Sequence, residues 1–469
     1  MTRAAVIGAG PNGLAAAIVL ARAGLEVTVF EAQAEVGGAA RTLPLTLPGF
    51  LHDFGSAVYP MAAGSPFFAT LPLQQYGLQW IHSPAALAHP FDNGTAVTLE
   101  RDLAETERVL GEDGKAWRKL MEPVSSCWTE LSPDLFAPLT RVPRHPLQLA
   151  RLGLKGFWPA TSVVNRVFRN YRTKGLFAGL AAHSFLSLDE PLTAAFAIVF
   201  GAAAHAIGWP IPRGGAQSIA NALCSGLKAL GGSVITSRPI QTFRELPGAE
   251  IVLCDVTPRQ LLVIAGESFS ESYRRSLQRF RYGPGAFKVD YALSQPIPWK
   301  APDCLRAATV HLGGTWEEIA ASEAAMRNGR HAEQPFVLLA QPTLFDSSRA
   351  PDGKHIAWAY CHVPNGSHFD MLPRLEGQIE RFAPGFRDCI LDRRVLNPQA
   401  LESMDANLVG GDIAGGESDL RQFFFRPNWR TYATSRKDVY LCSSSTPPGA
   451  GVHGMCGYNA AMLALHRMR

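Results

Sequence analysis

Residues 4–42 read AAVIGAGPNGLAAAIVLARAGLEVTVFEAQAEVGGAART, and the order of their parts decides the fold. Residues 4–7 are a short apolar run of the kind that forms a buried strand. Gly8, Gly10 and Gly13 follow at once as G-x-G-x-x-G, with Pro11 and Asn12 inside the motif. Residues 14–23 carry an alanine-rich helical pattern, and Gly24 stands where a helix-terminating glycine belongs. Residues 27–30 read as a second strand. Glu31 closes it, 18 residues past Gly13, with Ala32 behind it. Each part has a physical task. The first glycine permits a tight turn, the second lets the backbone approach a pyrophosphate, and the third lets helix pack closely on strand. Free N–H groups at the helix N-terminus face the phosphates. The Glu31 carboxylate can accept both hydroxyls of an adenosine ribose and would repel a 2′-phosphate. Strand, loop, helix, strand and acid in this order predict a dinucleotide site, without choosing between NAD and FAD.

The next residues choose. EVGGAART (residues 35–42) is a glycine pair followed by an arginine. It resembles the second glycine motif of flavoproteins of the glutathione-reductase and amine-oxidase superfamily. The resemblance implies that Gly37, Gly38, Ala39 and Arg41 lie along the pyrophosphate and ribityl chain of FAD. Asp53, Gly55 and Ser56 form a turn shortly after. Two readings stand for it, a loop passing under the cofactor or an Asx turn with no ligand.

The chain has 469 residues, enough for two or three domains. A formal charge of +4 is too small at this size to imply nucleic acid, and no basic-aromatic nucleic-acid module is present. The first strand begins so close to Met1 that no cleaved signal peptide is expected. None of the eight cysteines forms a C-x-x-C pair, and the 13 histidines show no metal-ligand spacing. A cytoplasmic protein with reduced thiols and no metal is expected. The most apolar stretch, residues 192–204, is shorter than the ~20 residues a membrane span needs.

Further along, DNGT (residues 92–95) predicts a hairpin. Residues 141–174 contain eight basic residues and no acidic one, with Phe157, Trp158, Phe168 and Tyr171 interleaved. A solvated face whose charges pair elsewhere is one reading. Docking on an anionic membrane or an acidic partner is the other. GWPIPRGG (208–215) predicts a glycine turn feeding a helix. Residues 233–236, 240–243 and 251–254 read as strands that return the chain to the first domain. By resemblance to the superfamily, the backbone near Ile240 contacts adenine. Residues 284–293, 336–339 and 357–362 read as strands of a second domain, Thr315 caps a helix, and residues 410–416 read as a flexible loop. Near the C-terminus, residues 439–442 form a strand. Gly449, Gly451 and Gly454 then open a final helix at about Met455. No second strand and acid follow, so this is not a second dinucleotide site. That helix's N-terminus is expected beside the flavin, with Gly451, Val452, His453 and Gly454 at the cofactor.

The stretches at 6–14, 35–42, 208–215, 285–293, 357–366, 409–416 and 441–461 together resemble the phytoene desaturase-like family of FAD-dependent oxidoreductases. The resemblance spans nearly the whole chain. It implies an α/β fold with a discontinuous Rossmann-like FAD domain (1–75, 208–270 and 400–469). A substrate domain of mixed sheet and helices (76–207 and 271–399) completes it. It also implies flavin-dependent oxidation or desaturation of a small lipophilic substrate. His453 stands where carotenoid desaturases often have proline, which admits a more polar or proton-dependent reaction. Candidate proton-handling residues are His453, Tyr360 and His362. Lys288, on an alternating strand, reaches the flavin through water or is simply exposed. Two alternatives remain: a flavin-dependent double-bond isomerase without net redox, and a lipid-binding or chaperone-like protein on the same fold.

Overall fold

The computed structural model describes every residue except Met1, Leu139, Pro247 and Arg469. The opening stretch folds as its pattern dictates: strand Arg3–Ile7, helix Pro11–Arg22, strand Glu26–Phe30. Pro11 sits in the first turn of the helix, where its missing N–H costs nothing. The helix is apolar almost all round and tightly packed, with Leu14, Ala15, Ala16, Ala17 and Leu20 fully buried.

Five parallel strands make the first sheet, in the order Val439–Leu441, Ile251–Cys254, Arg3–Ile7, Glu26–Phe30, Ser233–Ile235. Its strands come from three separated stretches of sequence, so the Rossmann-like unit is discontinuous. The register sets Ile7 beside Cys254, which puts Asp255 level with Gly8 at the carboxyl edge where ligands bind such sheets. The helix Met455–Met468 lies against Pro11–Arg22 along a stripe of small buried residues, Gly457, Ala460, Ala461 and Ala464.

A second, seven-stranded sheet is mixed. Gly285–Leu293 lies second from one edge, between Ile390–Leu396 and His355–Val363 and antiparallel to both. Val337–Ala340 and Thr309–Leu312 continue it, and the hairpin Ala85–Pro90 with Ala96–Glu100 ends it. That hairpin turns at DNGT, as its composition predicts. Thr315 caps Trp316–Arg327 through a reciprocal pair with Glu318: the Glu318 N–H donates to Thr315 Oγ1, and the Thr315 N–H donates to Glu318 Oε2. The apolar stretch after residue 192 is the helix Thr193–Ala206, packed inside the second domain. No helix among the described residues is long and apolar enough to cross a membrane.

Two expectations fail locally. Residues 240–243 form no strand. Pro239 lacks a donor, and the N–H groups of Gln241 and Thr242 both donate to Glu245 Oε1 at 3.0 Å, which winds Phe243–Glu245 into a 3-10 turn. Residues 410–416 are not a free loop either. Gly410, Gly411 and Asp412 are buried. The Asn365 side-chain amide donates to the Val409 carbonyl, and the N–H groups of Gly283 and Ala414 donate to the Asp412 carboxylate.

Candidate functional site

One cavity of about 440 Å³ joins the two domains. Its first end is lined by Gly10, Pro11 and Asn12 of the glycine loop, Gly38 and Ala39 of EVGGAART, Gly55 and Ser56, and Gly451 and Val452. Its far end is lined by Phe185, Phe196, Phe200, Trp209, Leu338, Trp358 and Tyr360.

The glycine loop has no room to spare. A Cβ on Gly13 would lie 2.0 Å from the Gly8 carbonyl oxygen, so only glycine lets the helix start this close to the strand. Gly8 itself adopts φ +99°. Gly37 ties the second motif to the first, its N–H donating to the Ala9 carbonyl at 2.9 Å. Asn12 Oδ1 is buried without a hydrogen-bond partner, a polar atom left over for something in the cavity. Glu31 stands at its strand end, where Oε2 accepts from the Ala9 N–H at 2.7 Å and Oε1 from the Gln33 N–H at 2.9 Å. The carboxylate is thereby fixed in orientation beside the glycine loop. Ala32 lies exposed next to it. Ile240 is buried on the other face of the sheet, among Ala5, Ile7 and Val252.

Arg41 does not line the cavity. Its guanidinium donates to the carbonyls of Gly38 (2.7 Å) and Met404 (2.8 Å), so it shapes the loop that does. The turn after it divides between the two readings. Gly55 and Ser56 line the cavity, whereas Asp53 turns away to a buried ion pair with Arg349 at 3.0 Å and accepts the Ala216 N–H at 2.8 Å.

At the other edge, Val452 has φ +57°. A β-branched residue held in that region is strained, and such strain persists where the surroundings of a site impose it. Gly451 (φ +139°) and Gly454 (φ +68°) flank it. The expectation for His453 needs correction. Gly451 and Val452 line the cavity and His453 does not. Its Nδ1 accepts the N–H of Met455 at 3.0 Å, capping the last helix, and its ring packs against Phe136. Burial pushes its pKa down to about 4, so the ring is neutral at physiological pH. We expect His453→Ala to cost stability by about 1 kcal/mol, the worth of a helix cap. It should leave the rate of flavin reduction within a factor of about two to three, as thermal unfolding beside stopped-flow absorbance would show.

Trp358, Tyr360 and His362 alternate on one face of the strand His355–Val363. The first two line the cavity. Burial raises the Tyr360 phenol, with Glu323 adding to the shift. His362 stands one step further on, its Nδ1–H donating to Glu323 at 2.7 Å and its ring against Phe185. Opposite Tyr360 in the sheet register is Lys288. It is not exposed: its side chain is buried, lines the cavity and contacts Asp290. Burial lowers the Lys288 ammonium and raises the Asp290 carboxyl to about 6, so both lean towards their neutral forms. Asp290 in turn lies 3.7 Å from His52 Nδ1, and His52 Nε2 is 2.7 Å from Thr46 Oγ1.

Several lining residues lie outside the site residues named from the sequence. His183 lines the far end and meets His311 at 3.2 Å, and burial holds its pKa down to about 3. Asp255 accepts the Gly13 N–H at 2.8 Å, at the helix N-terminus that the motif offers to phosphate. Burial, and then the nearby carboxyls of Asp405 and Glu31, raise its pKa to about 8. An acid directly after an apolar strand, IVLCD, was the signal available for it.

Residues 6–70 match the family model described as an NAD(P)-binding Rossmann-like domain. The chain is 26% identical to "Pyridine nucleotide-disulfide oxidoreductase domain-containing protein 2" of Rattus norvegicus, over 99% of this chain and 94% of that protein. It is 25% identical to "Phytoene desaturase (lycopene-forming)" of Pantoea ananas, over 98% of both. Among solved structures, an oxidoreductase from Methanosarcina mazei superposes with a TM-score of 0.66 at 16% identity, covering 99% of this chain and 100% of that one. The likeness to the phytoene desaturase-like group drawn from the motifs thus extends along the whole chain.

Proposed function

We propose that this chain is an FAD-dependent oxidoreductase acting on an apolar, lipophilic substrate. The observation that carries the reading is a continuous cavity with glycine-rich backbone at one end and aromatic side chains at the other. The first end fits FAD. Gly8, Gly10, Pro11, Asn12 and Gly13 would cradle the pyrophosphate, Glu31 and Ala32 would face the adenosine ribose, and Ile240 would back the adenine. Gly37, Gly38, Ala39, Gly55 and Ser56 would follow the ribityl chain, with Arg41 holding their loop. The backbone of Gly451 and Val452 would meet the flavin ring, with His453 and Gly454 joining that loop to the last helix. When bound, FAD supplies a two-electron acceptor for a hydride equivalent, restored by oxygen or a quinone.

The chain's own residues supply the rest. Phe185, Phe196, Phe200 and Trp209 exclude water and select an apolar substrate by burial of its surface. Tyr360, Lys288 and Thr309 bring polar groups to the cavity from the sheet. Lys288 holds a proton that Asp290 can take up behind it, away from the cavity. His362 acts one step removed, keeping Tyr360 and Phe185 in place through its bond to Glu323. We expect Lys288→Met to retain its flavin while slowing reduction by substrate by about 10²-fold, a typical general acid–base contribution. Stopped-flow absorbance at the flavin band measures this.

The reading is tested by anaerobic titration of the purified protein with lipophilic alkenes, polyenes and amines beside charged analogues. Bleaching of the flavin band by an apolar compound, with recovery on admitting air or a quinone, is expected. Bleaching by charged compounds alone, or turnover with no net oxidation, would replace it.

A further inference from the structure

The basic segment found in the sequence has a specific surface in the structure. The helix Pro146–Gly156 turns Leu152 and Gly156 inward and leaves Leu147, Ala150, Arg151 and Leu154 outward. These four positions, spaced i, i+3, i+4 and i+7, form one stripe. Its two leucines face water: Leu147 and Leu154 are each 74% exposed. Val142 before the helix is 86% exposed, and Phe157 and Trp158 directly after it are exposed as well. Large apolar side chains clustered in this way on a water-facing surface mark an interaction site.

Charge says what covers it. Arg144, Arg151 and Lys155 are exposed on this helix or just before it, and Arg141, Arg166 and Arg169 are exposed elsewhere in the same segment. None of the eight basic side chains of residues 141–174 lies within 4.0 Å of a carboxylate among the described residues. Among the described residues, the charges of this segment are therefore not paired with acids elsewhere in the fold, and they stand free on a solvated face. Arg166 lies over the Trp158 ring at 4.3 Å, holding an indole and a cation side by side. Unpaired cations beside outward leucine, phenylalanine and tryptophan fit a surface that is anionic at its face and apolar just beneath.

The backbone beneath the stripe is fixed to the cavity wall. The Leu192 N–H donates to the Phe157 carbonyl, and the Ala194 N–H to the Trp158 carbonyl. Gly156 rests on Ala195. These residues begin the helix Thr193–Ala206, whose Phe196 and Phe200 line the aromatic end of the cavity. Leu135 and Ala137, just before the basic segment, line the same cavity.

We propose that the helix Pro146–Gly156, with Val142, Phe157 and Trp158, seats the protein on the face of an anionic lipid bilayer, beside the aromatic end of the cavity. The leucines and aromatics enter the headgroup–acyl boundary and the arginines meet lipid phosphates. A lipophilic compound then passes between bilayer and cavity without crossing water. The docking itself is independent of what chemistry the cavity performs.

Co-sedimentation of the full-length protein tests it, with vesicles of phosphatidylcholine alone and of phosphatidylcholine mixed with phosphatidylglycerol, at low and high salt. Binding to the mixed vesicles at low salt, and not to phosphatidylcholine, is expected. The triple variant Arg144→Gln/Arg151→Gln/Lys155→Gln should bind about a hundredfold more weakly, roughly fivefold for each charge removed. A second variant, Leu147→Ser/Leu154→Ser/Trp158→Ser, should also lose binding at low salt. All six positions are exposed, and unchanged thermal unfolding confirms that each variant folds. No pelleting with anionic vesicles at low salt would overturn the proposal. So would equal binding to neutral vesicles, indifference to the charge variant, or full binding by the serine variant.

Discussion

Gly457→Ala should destabilise the protein by about 3 kcal/mol, the upper end for forcing a methyl group into a packed core, and should release its flavin. The reason is distance. A Cβ at Gly457 would lie 1.8 Å from the carbonyl oxygen of Asn12 and 2.9 Å from the amide nitrogen of Ala16. Both are backbone atoms of the Pro11–Arg22 helix, so no rotamer change relieves the clash. The closing helix must back away, and Gly451 and Val452 move with it, since they lead directly into Met455. Denaturant unfolding and flavin fluorescence in the filtrate report the two effects separately. Ala461→Gly, on the same stripe, is the control: it should cost about 1 kcal/mol through helix propensity and keep the flavin.

Asp255→Asn should remove a pH dependence of FAD affinity that the native protein shows above about pH 8. The Asp255 carboxyl binds the Gly13 N–H where the motif offers that donor to phosphate. Its pKa is raised to about 8, so below that pH it is mostly protonated and neutral. Above it, the free protein carries an anion at this point, while a bound pyrophosphate keeps the group protonated. Binding then takes up a proton, and affinity falls by up to about tenfold per pH unit. At about pH 10 the native protein should bind FAD up to about a hundredfold more weakly than at about pH 7, with the asparagine variant much flatter. Burial also raises Asp405, which lines the same cavity, so any slope left in the variant belongs there. Fluorescence titration of apoprotein with FAD across pH measures it. Equal slopes in both proteins would contradict this role for Asp255.

Local pattern carried the parts of the molecule whose cause is local. The opening strand–helix–strand, the Thr315 cap, the IVLC strand and the start of the last helix at Met455 all follow from neighbouring residues. His453 shows the limit. Its place between Gly451 and Gly454 was readable, but the direction of its ring depends on Phe136 and on the Met455 N–H, which sequence position does not reveal. The strand expected at Ile240 failed because a side chain, Glu245, outcompeted the sheet for two backbone donors. The aromatic end of the cavity was out of reach for a different reason. Phe185, Phe200 and Trp209 lie within about 25 residues of one another, but Trp358 is distant in the chain, and only the packing of helix on mixed sheet brings it to them. Lys288 was ambiguous on an alternating strand because both faces of Gly285–Leu293 are buried, so alternation does not mean one wet face.

The central claim, that the glycine-rich end of the cavity holds FAD without a covalent link, is tested most directly by acid precipitation of the freshly purified protein. The account predicts a yellow supernatant whose flavin is FAD, close to one per chain, over a colourless pellet. A supernatant without flavin, from a protein that was colourless before precipitation, would contradict it.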